Sequence, residues 1–209
     1  MKPADWYFDF ISPFAYIAFT RLGRVSHALD LRYHPVLFAG LLNHWEQKGP
    51  AEIPAKRVWT YRLCTWWAAQ QGIAFRLPAV HPFNPLPYLR LAIAAGRTPT
   101  AIQRIFEVLW TTGTDPGDPR AFTALAESVE VDPSRLADQS IKDSLRLETD
   151  QAVGRGVFGV PTLIVDGELF WGADAMEFVE AYLANPGLLA SEEMKRIGTL
   201  PVGAARRNS

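Results

Sequence analysis

The first apolar pattern in the chain alternates. Trp6 to Ile11 is aromatic-rich with a period of two, which predicts a strand. Directly after it, Phe14, Ile17, Ala18, Leu22, Val25 and Leu29 recur at helical spacing and draw one face of a helix over 13–29. Leu31 to Leu37 reads as a second strand, so the chain opens as strand–helix–strand, the unit of a right-handed parallel crossover. From about Ala39 to Gly154 the pattern turns helical, with Pro and Gly breaks. Ile53–Gly72 is a long helix with Pro54 near its start, Leu86–Gly96 a second closed by its glycine, and Pro99–Thr112 a third. A loop follows over Thr112–Pro119, then shorter helices over Pro119–Ser128, Pro133–Asp138 and Ile141–Gly154. The β signal returns at Thr162–Val165 and Glu168–Trp171, joined by Asp166-Gly167, a pair suited to a type I′ hairpin turn. Asp174 then opens a helix with Met176, Val179 and Leu183 on one face, stopped by Asn185-Pro186-Gly187. A tail from about Gly198 to Ser209 is expected to be loosely held. There is no internal repeat.

The order is β-α-β, many helices, then β-β-α. The junction Phe10-Ile11-Ser12-Pro13, where a strand runs into a helix, and the late Val160-Pro161-Thr162 before a strand are the marks of a thioredoxin-like scaffold. The expected fold is therefore α/β: a thioredoxin-like domain from residues 1–38 and 155–209, carrying a large all-helical insertion at 39–154.

Composition narrows the function. With 209 residues and 48% hydrophobic content, the chain can bury a sizeable core. A net charge of -1 gives no reason to expect a nucleic-acid partner or an anionic membrane surface. No apolar run reaches the ~20 residues of a membrane span. The start Met1 to Asp5 leads into the strand pattern without the apolar core of a signal peptide. A single cysteine, Cys64, excludes an internal disulfide and fits a reducing compartment, so a cytoplasmic location is expected.

Ser12 stands at the junction where a thioredoxin-like chain would carry a Cys-x-x-Cys pair, with Ala15 three residues on. Ser at the N-cap with Pro next is an ordinary helix start, and capping alone accounts for it. The same helix end also offers unpaired N–H groups and a positive dipole, which stabilise a thiolate. Ser12 supplies no thiolate but can donate its O–H to one brought by a ligand. Pro161 before a strand is by default a boundary residue. On this scaffold it is usually cis, and Val160 before it exposes backbone groups that pair with an extended peptide. Asp174 reads locally as an N-cap; the alternative is a carboxylate for a ligand ammonium. Asn43 reads as a turn residue and Lys56 as a solvated helix residue, of interest only if the insertion folds over the site. The four histidines lack metal-ligand spacing, so no metal is expected. Cys64 is expected to be buried and inert, and Trp59, Leu63, Trp66 and Trp67 to form a core stripe rather than a substrate wall.

Phe8 through Tyr16, Pro35 through Asn43 to Lys56, Asn84–Gly96 and Gly156 through Asp174 together resemble the 2-hydroxychromene-2-carboxylate isomerases. These are relatives of the kappa-class glutathione transferases within the DsbA-like thioredoxin superfamily. The resemblance spans nearly the whole chain. It implies glutathione as cofactor, with Ser12 on its sulfur, Val160 (before Pro161) on its cysteinyl backbone, Asp174 at the γ-glutamyl end, and Asn43 and Lys56 holding the peptide and its carboxylates. The family's reaction is a cis–trans isomerisation through reversible thiol addition to an aromatic carboxylate. Departures from the family pattern are Ala173, where Ser or Gln is common, Trp59 and Leu63 in place of Tyr and Asp, and the Leu42-Asn43-His44-Trp45 loop. With Ala173, the γ-glutamyl carboxylate is left to a backbone N–H. The expected partner is a small molecule, and exposed aromatics allow a homodimer. A kappa-type transferase or peroxidase, or a non-catalytic peptide-binding protein, are the alternatives.

Overall fold

The computed structural model describes residues 1–204; of the tail expected to be loosely held, residues 205–209 lie outside the described residues. The chain runs β1 (Lys2–Phe8), α1 (Pro13–Arg21), β2 (Leu29–Pro35), α2 (Phe38–His44) and α3 (Pro54–Gln70). It continues through α4 (Leu86–Ala94), α5 (Pro99–Thr111), α6 (Pro119–Ser128) and α7 (Gln139–Gly154). Strands β3 (Thr162–Val165) and β4 (Glu168–Trp171) follow, then α8 (Met176–Ala184) and α9 (Glu192–Ile197). The strands form one mixed sheet in the order β2-β1-β3-β4. β1 pairs with β2 in parallel and with β3 antiparallel, so β1 is central. The β3–β4 hairpin turns through Asp166 (φ 54) and Gly167 (φ 87), both left-handed as a type I′ turn requires.

Helix starts repeat one local solution. Ser12-Pro13, Thr98-Pro99 and Asp118-Pro119 each place a side-chain oxygen on an early N–H and a proline at the first helical position. On α5, Ile102, Ile105, Phe106, Leu109 and Trp110 fall on one buried face. Phe106 meets Phe10 at 4.6 Å between ring centroids and Phe8 at 5.7 Å, while Trp6 stacks on Phe8 at 4.5 Å. This aromatic cluster ties the sheet to α5, and one hydrophobic core runs from β1 through α4, α5 and α7 to Tyr182 on α8.

Several boundaries differ from the expectations. β1 ends at Phe8 instead of Ile11 because the Asp9 carboxylate accepts the Ile11 N–H (3.1 Å) and turns the chain. β2 likewise begins and ends earlier, at Leu29 and Pro35. α1 stops at Arg21 and passes into a 3-10 turn over Leu22–Arg24 and further turns before β2. Asn43 lies within α2, not in a loop. Asp174 sits inside a 3-10 turn (Ala173–Ala175) ahead of α8, without a capping bond from its side chain. Helix α9, which the sequence pattern did not indicate, is capped by Ser191. Among the described residues, no helix is long and apolar enough to cross a membrane.

Candidate active site

The chain between β1 and α1 is held from several sides. Asp9 is buried; its Oδ1 accepts from Ile11 N–H, its Oδ2 from Phe38 N–H (2.9 Å), and its carbonyl from Ser12 N–H (3.1 Å). Burial pushes its carboxyl up to about 7, against the pull of the Phe38 and Ile11 N–H groups. The Trp110 indole donates to the Phe10 carbonyl (3.0 Å), and His81 Nε2 donates to the Ile11 carbonyl (2.8 Å). A carbonyl only accepts, so Nε2 carries the proton and Nδ1 accepts from the Tyr61 hydroxyl at 2.7 Å. Burial lowers the His81 pKa, which favours this neutral tautomer.

Ser12 thus enters α1 in a fixed place, buried to 7% exposure. Its Oγ accepts from Ala15 N–H (3.2 Å), while its own O–H has no acceptor among the described residues. Pro13 has no N–H, and the Phe14 N–H is unpaired among the described residues. The start of α1 therefore combines a free hydroxyl donor, a free amide and the positive end of the helix dipole.

In front of α1 lies a cleft of about 970 Å³. Phe14, Val160 and Ala173 contribute to its lining, as do Leu63, Trp66, Trp67 and Gln70 of α3. Trp171 and Asp174 line it too, together with the charged group Arg21, Arg24 and Glu177. The volume lies at the upper end of small-ligand sites, ~300–1,000 Å³. The peptide bond between Val160 and Pro161 is cis. Pro161 accepts from Gly172 N–H (2.9 Å), which fixes the segment beside β4, and the Val160 N–H and C=O bond nothing among the described residues. Gly172 holds φ at +100°, and a Cβ there would collide with the Asp174 carboxylate, so the turn that presents Asp174 requires glycine.

Of the residues singled out from sequence, Val160, Ala173 and Asp174 line this cleft. Ser12 lies two residues before its first α1 residue, Phe14, and Pro161 lines a separate small cavity together with Leu163 and Met176. Asn43 and Lys56 are exposed and do not line it. Lys56 nevertheless stands on the α3 stripe that continues at Leu63 and Gln70, seven residues and about 10 Å of helix apart at each step. The tryptophan stripe corrects an expectation. Trp59 and Trp66 are 64% and 60% exposed, and α3 turns Thr60, Cys64 and Ala68 inward in their place. Leu63, Trp66 and Trp67 border the cleft, Trp67 also packs against the small core cluster around Cys64, and Trp59 lines neither. Cys64 is fully buried, and burial pushes its thiol up to about 12.

Sequence reasoning missed Arg21, Arg24, Glu177, His81 and Tyr61. Their partners lie 20 to 156 positions away, and no local pattern marks them. Trp171 had a signal, as the outward residue of a strand whose neighbour Phe170 points in. Among the described residues, no group of three or more His, Cys, Asp or Glu side chains is arranged to hold a metal ion.

The sequence matches the DSBA-like thioredoxin domain over residues 4–184. The chain belongs to that family. Among curated proteins it is 29% identical over 194 residues to the 2-hydroxychromene-2-carboxylate isomerase of Sphingobium xenophagum, covering 88% of this chain and 99% of that one. It is also 29% identical over 210 residues to glutathione S-transferase kappa 2 of Caenorhabditis elegans, covering 88% and 93%. Among solved structures, a 2-hydroxychromene-2-carboxylate isomerase superposes with a TM-score of 0.76 at 24% identity, over 88% of this chain and 95% of the other. The thioredoxin-like architecture with its helical segment is thus that of the DsbA-like family.

Proposed function

We propose that the protein is a glutathione-dependent cis–trans isomerase of an aromatic or otherwise conjugated acid, acting in the cytoplasm. The observation that carries this reading is a mismatch. The start of α1 is arranged to favour a thiolate, yet the chain's one cysteine is sealed in the core with its pKa raised to about 12. A diffusible thiol resolves it. Glutathione, when bound, supplies a nucleophile that adds reversibly to a conjugated carbon and so lets a double bond rotate.

The residues present fit such a ligand. The free Ser12 O–H and Phe14 N–H are donors for a thiolate. The unpaired Val160 N–H and C=O suit an extended peptide laid down as an added strand. Asp174 is exposed to the cleft as a partner for an ammonium group. Trp66 and Trp171 offer apolar faces to a flat substrate. Lys56 and Asn43, neither of which lines the cleft, are given the outer end of the peptide by the family resemblance alone. Relatives named as isomerases of this type support the chemistry at modest identity.

A second reading, glutathione transfer of the kappa type, has the support of a kappa relative at the same 29% identity. Assaying 2-hydroxychromene-2-carboxylate with and without glutathione separates the two. Isomerisation that requires glutathione but does not consume it supports the proposal. Stoichiometric loss of free thiol to an electrophile, with no isomerisation, supports transfer.

A further inference from the structure

The charged end of the cleft contains a half-used arginine. Arg21 is 4% exposed and lies against the face of Trp67, 5.8 Å from its ring centroid. Its Nη1 donates to the Ala173 carbonyl (3.0 Å), which fixes the guanidinium beneath the turn that carries Asp174. The lateral edge of a guanidinium, Nε together with Nη2, is the fork that takes a carboxylate with two parallel hydrogen bonds. Here only Nη2 is engaged, by Oε1 of Glu177, while Nε is shut off from solvent and bonds nothing among the described residues. A buried charged donor left unpaired is costly, and a carboxylate placed squarely on this edge relieves that cost.

Glu177 is poorly committed to its place. Its side chain is 60% exposed in the first turn of α8, and the same Oε1 lies 3.6 Å from Nη1 of Arg24. It can leave Arg21 and still keep a cationic partner in Nη1 of Arg24, the nitrogen left over from the pair that Arg24 makes with Glu180 through Nε (2.6 Å) and Nη2 (2.8 Å). We propose that the lateral edge of Arg21 is the seat of the α-carboxylate at the amino-acid end of the ligand, with Glu177 as the displaceable occupant. Two arginines and two acids, Asp174 and Glu177, line this end of the cleft, so its charge suits a zwitterion rather than a simple anion. The carboxylate goes to Arg21 and the neighbouring ammonium to the acids. The proposal rests on the glutathione reading above and assigns the recognition of its γ-glutamyl end.

Calorimetry with two ligands tests it: glutathione, and the analogue 4-aminobutyryl-cysteinyl-glycine, which lacks only the glutamyl α-carboxylate. The ratio of their affinities isolates the carboxylate, because both keep the ammonium. The wild type is expected to prefer glutathione by about ten- to hundredfold. Glu177→Ala, which removes the competing carboxylate, is expected to widen the ratio, and Arg21→Gln to collapse it to near one. If Arg21→Gln does not fold, the wild-type and Glu177→Ala ratios still decide. A wild-type ratio near one, a folded Arg21→Gln protein that keeps the wild-type preference, or a Glu177→Ala ratio that is unchanged or smaller overturns the seat and leaves the glutathione reading standing. Absence of binding by either ligand overturns both.

Discussion

Replacing Ser12 with alanine separates the cap from the chemistry. The substitution removes one acceptor from Ala15 N–H, a bond of 3.2 Å. That N–H also points at the Ser12 carbonyl at 3.1 Å, so it is not left bare. The cap loss is therefore at or below the usual ~1 kcal/mol. For a chain of this size, that lowers Tm by about 2–4 °C. The catalytic effect is expected to be larger. A hydrogen bond from the Ser12 O–H to a thiolate is worth about 1.5–3 kcal/mol, or about ten- to hundredfold in turnover. The assay pairs thermal denaturation with glutathione-dependent turnover of 2-hydroxychromene-2-carboxylate. A small Tm shift with a large loss of turnover is the expected result. Full turnover in Ser12→Ala refutes the donor role and reduces Ser12 to a cap.

Three further outcomes follow from the buried ionisable groups. Asp9 has its carboxyl raised by burial from 3.8 to about 7, so its contribution to stability is complete below its ordinary pKa and fades as pH rises through 7; Asp9→Asn is expected to flatten that part of a denaturant-midpoint profile, and an unchanged slope contradicts the assignment. Asp5 has the opposite sign: burial alone would raise it, but Arg155 and His34 more than offset this and hold it below 3.8. Its contribution is present above that value and lost as pH falls through the lowered folded-state pKa, so Asp5→Asn is expected to destabilise the protein at neutral pH by about 1–3 kcal/mol and to weaken the acid limb of the same profile. Cys64, sealed and raised to about 12, is expected to resist alkylation until the protein unfolds, and Cys64→Ala to keep glutathione-dependent turnover; loss of turnover with an intact fold would make Cys64 the working thiol.

The sequence was most legible where local rules decide the structure. Asp166-Gly167 fixed the hairpin, proline starts placed α3 and α5, and Gly96 closed α4, all within a few residues of their ends. β1 was misplaced because its polar residues disguised a central strand. Asp5 sits there only because Arg32, His34 and Arg155 reach it from 27 to 150 positions away. The aromatic run continuing to Ile11 looked like strand but leaves the sheet at Asp9, whose two carboxylate oxygens gather N–H groups from the turn and from α2. For the site, Ser12, Val160 and Asp174 stood out because each lies at an element boundary with a chemical mark, Val160 through the proline that follows it, whereas Ala173 was singled out only by the family resemblance. The α3 tryptophans were misjudged because periodicity shows that residues share a face, not what the face meets. Arg21 and Glu177 come together only through the packing of α1 against the turn before α8, which no spacing in the sequence encodes.

The proposed function requires the start of α1 to stabilise a borrowed thiolate. The most direct measurement is the ionisation of glutathione bound to the Cys64→Ala protein, followed by ultraviolet thiolate absorbance across pH. The bound thiol is expected to ionise about one to two pH units below its free value near 8.5, with Ser12→Ala moving it back toward that value. A bound thiol whose ionisation is unchanged or raised, or glutathione that does not bind, contradicts the claim.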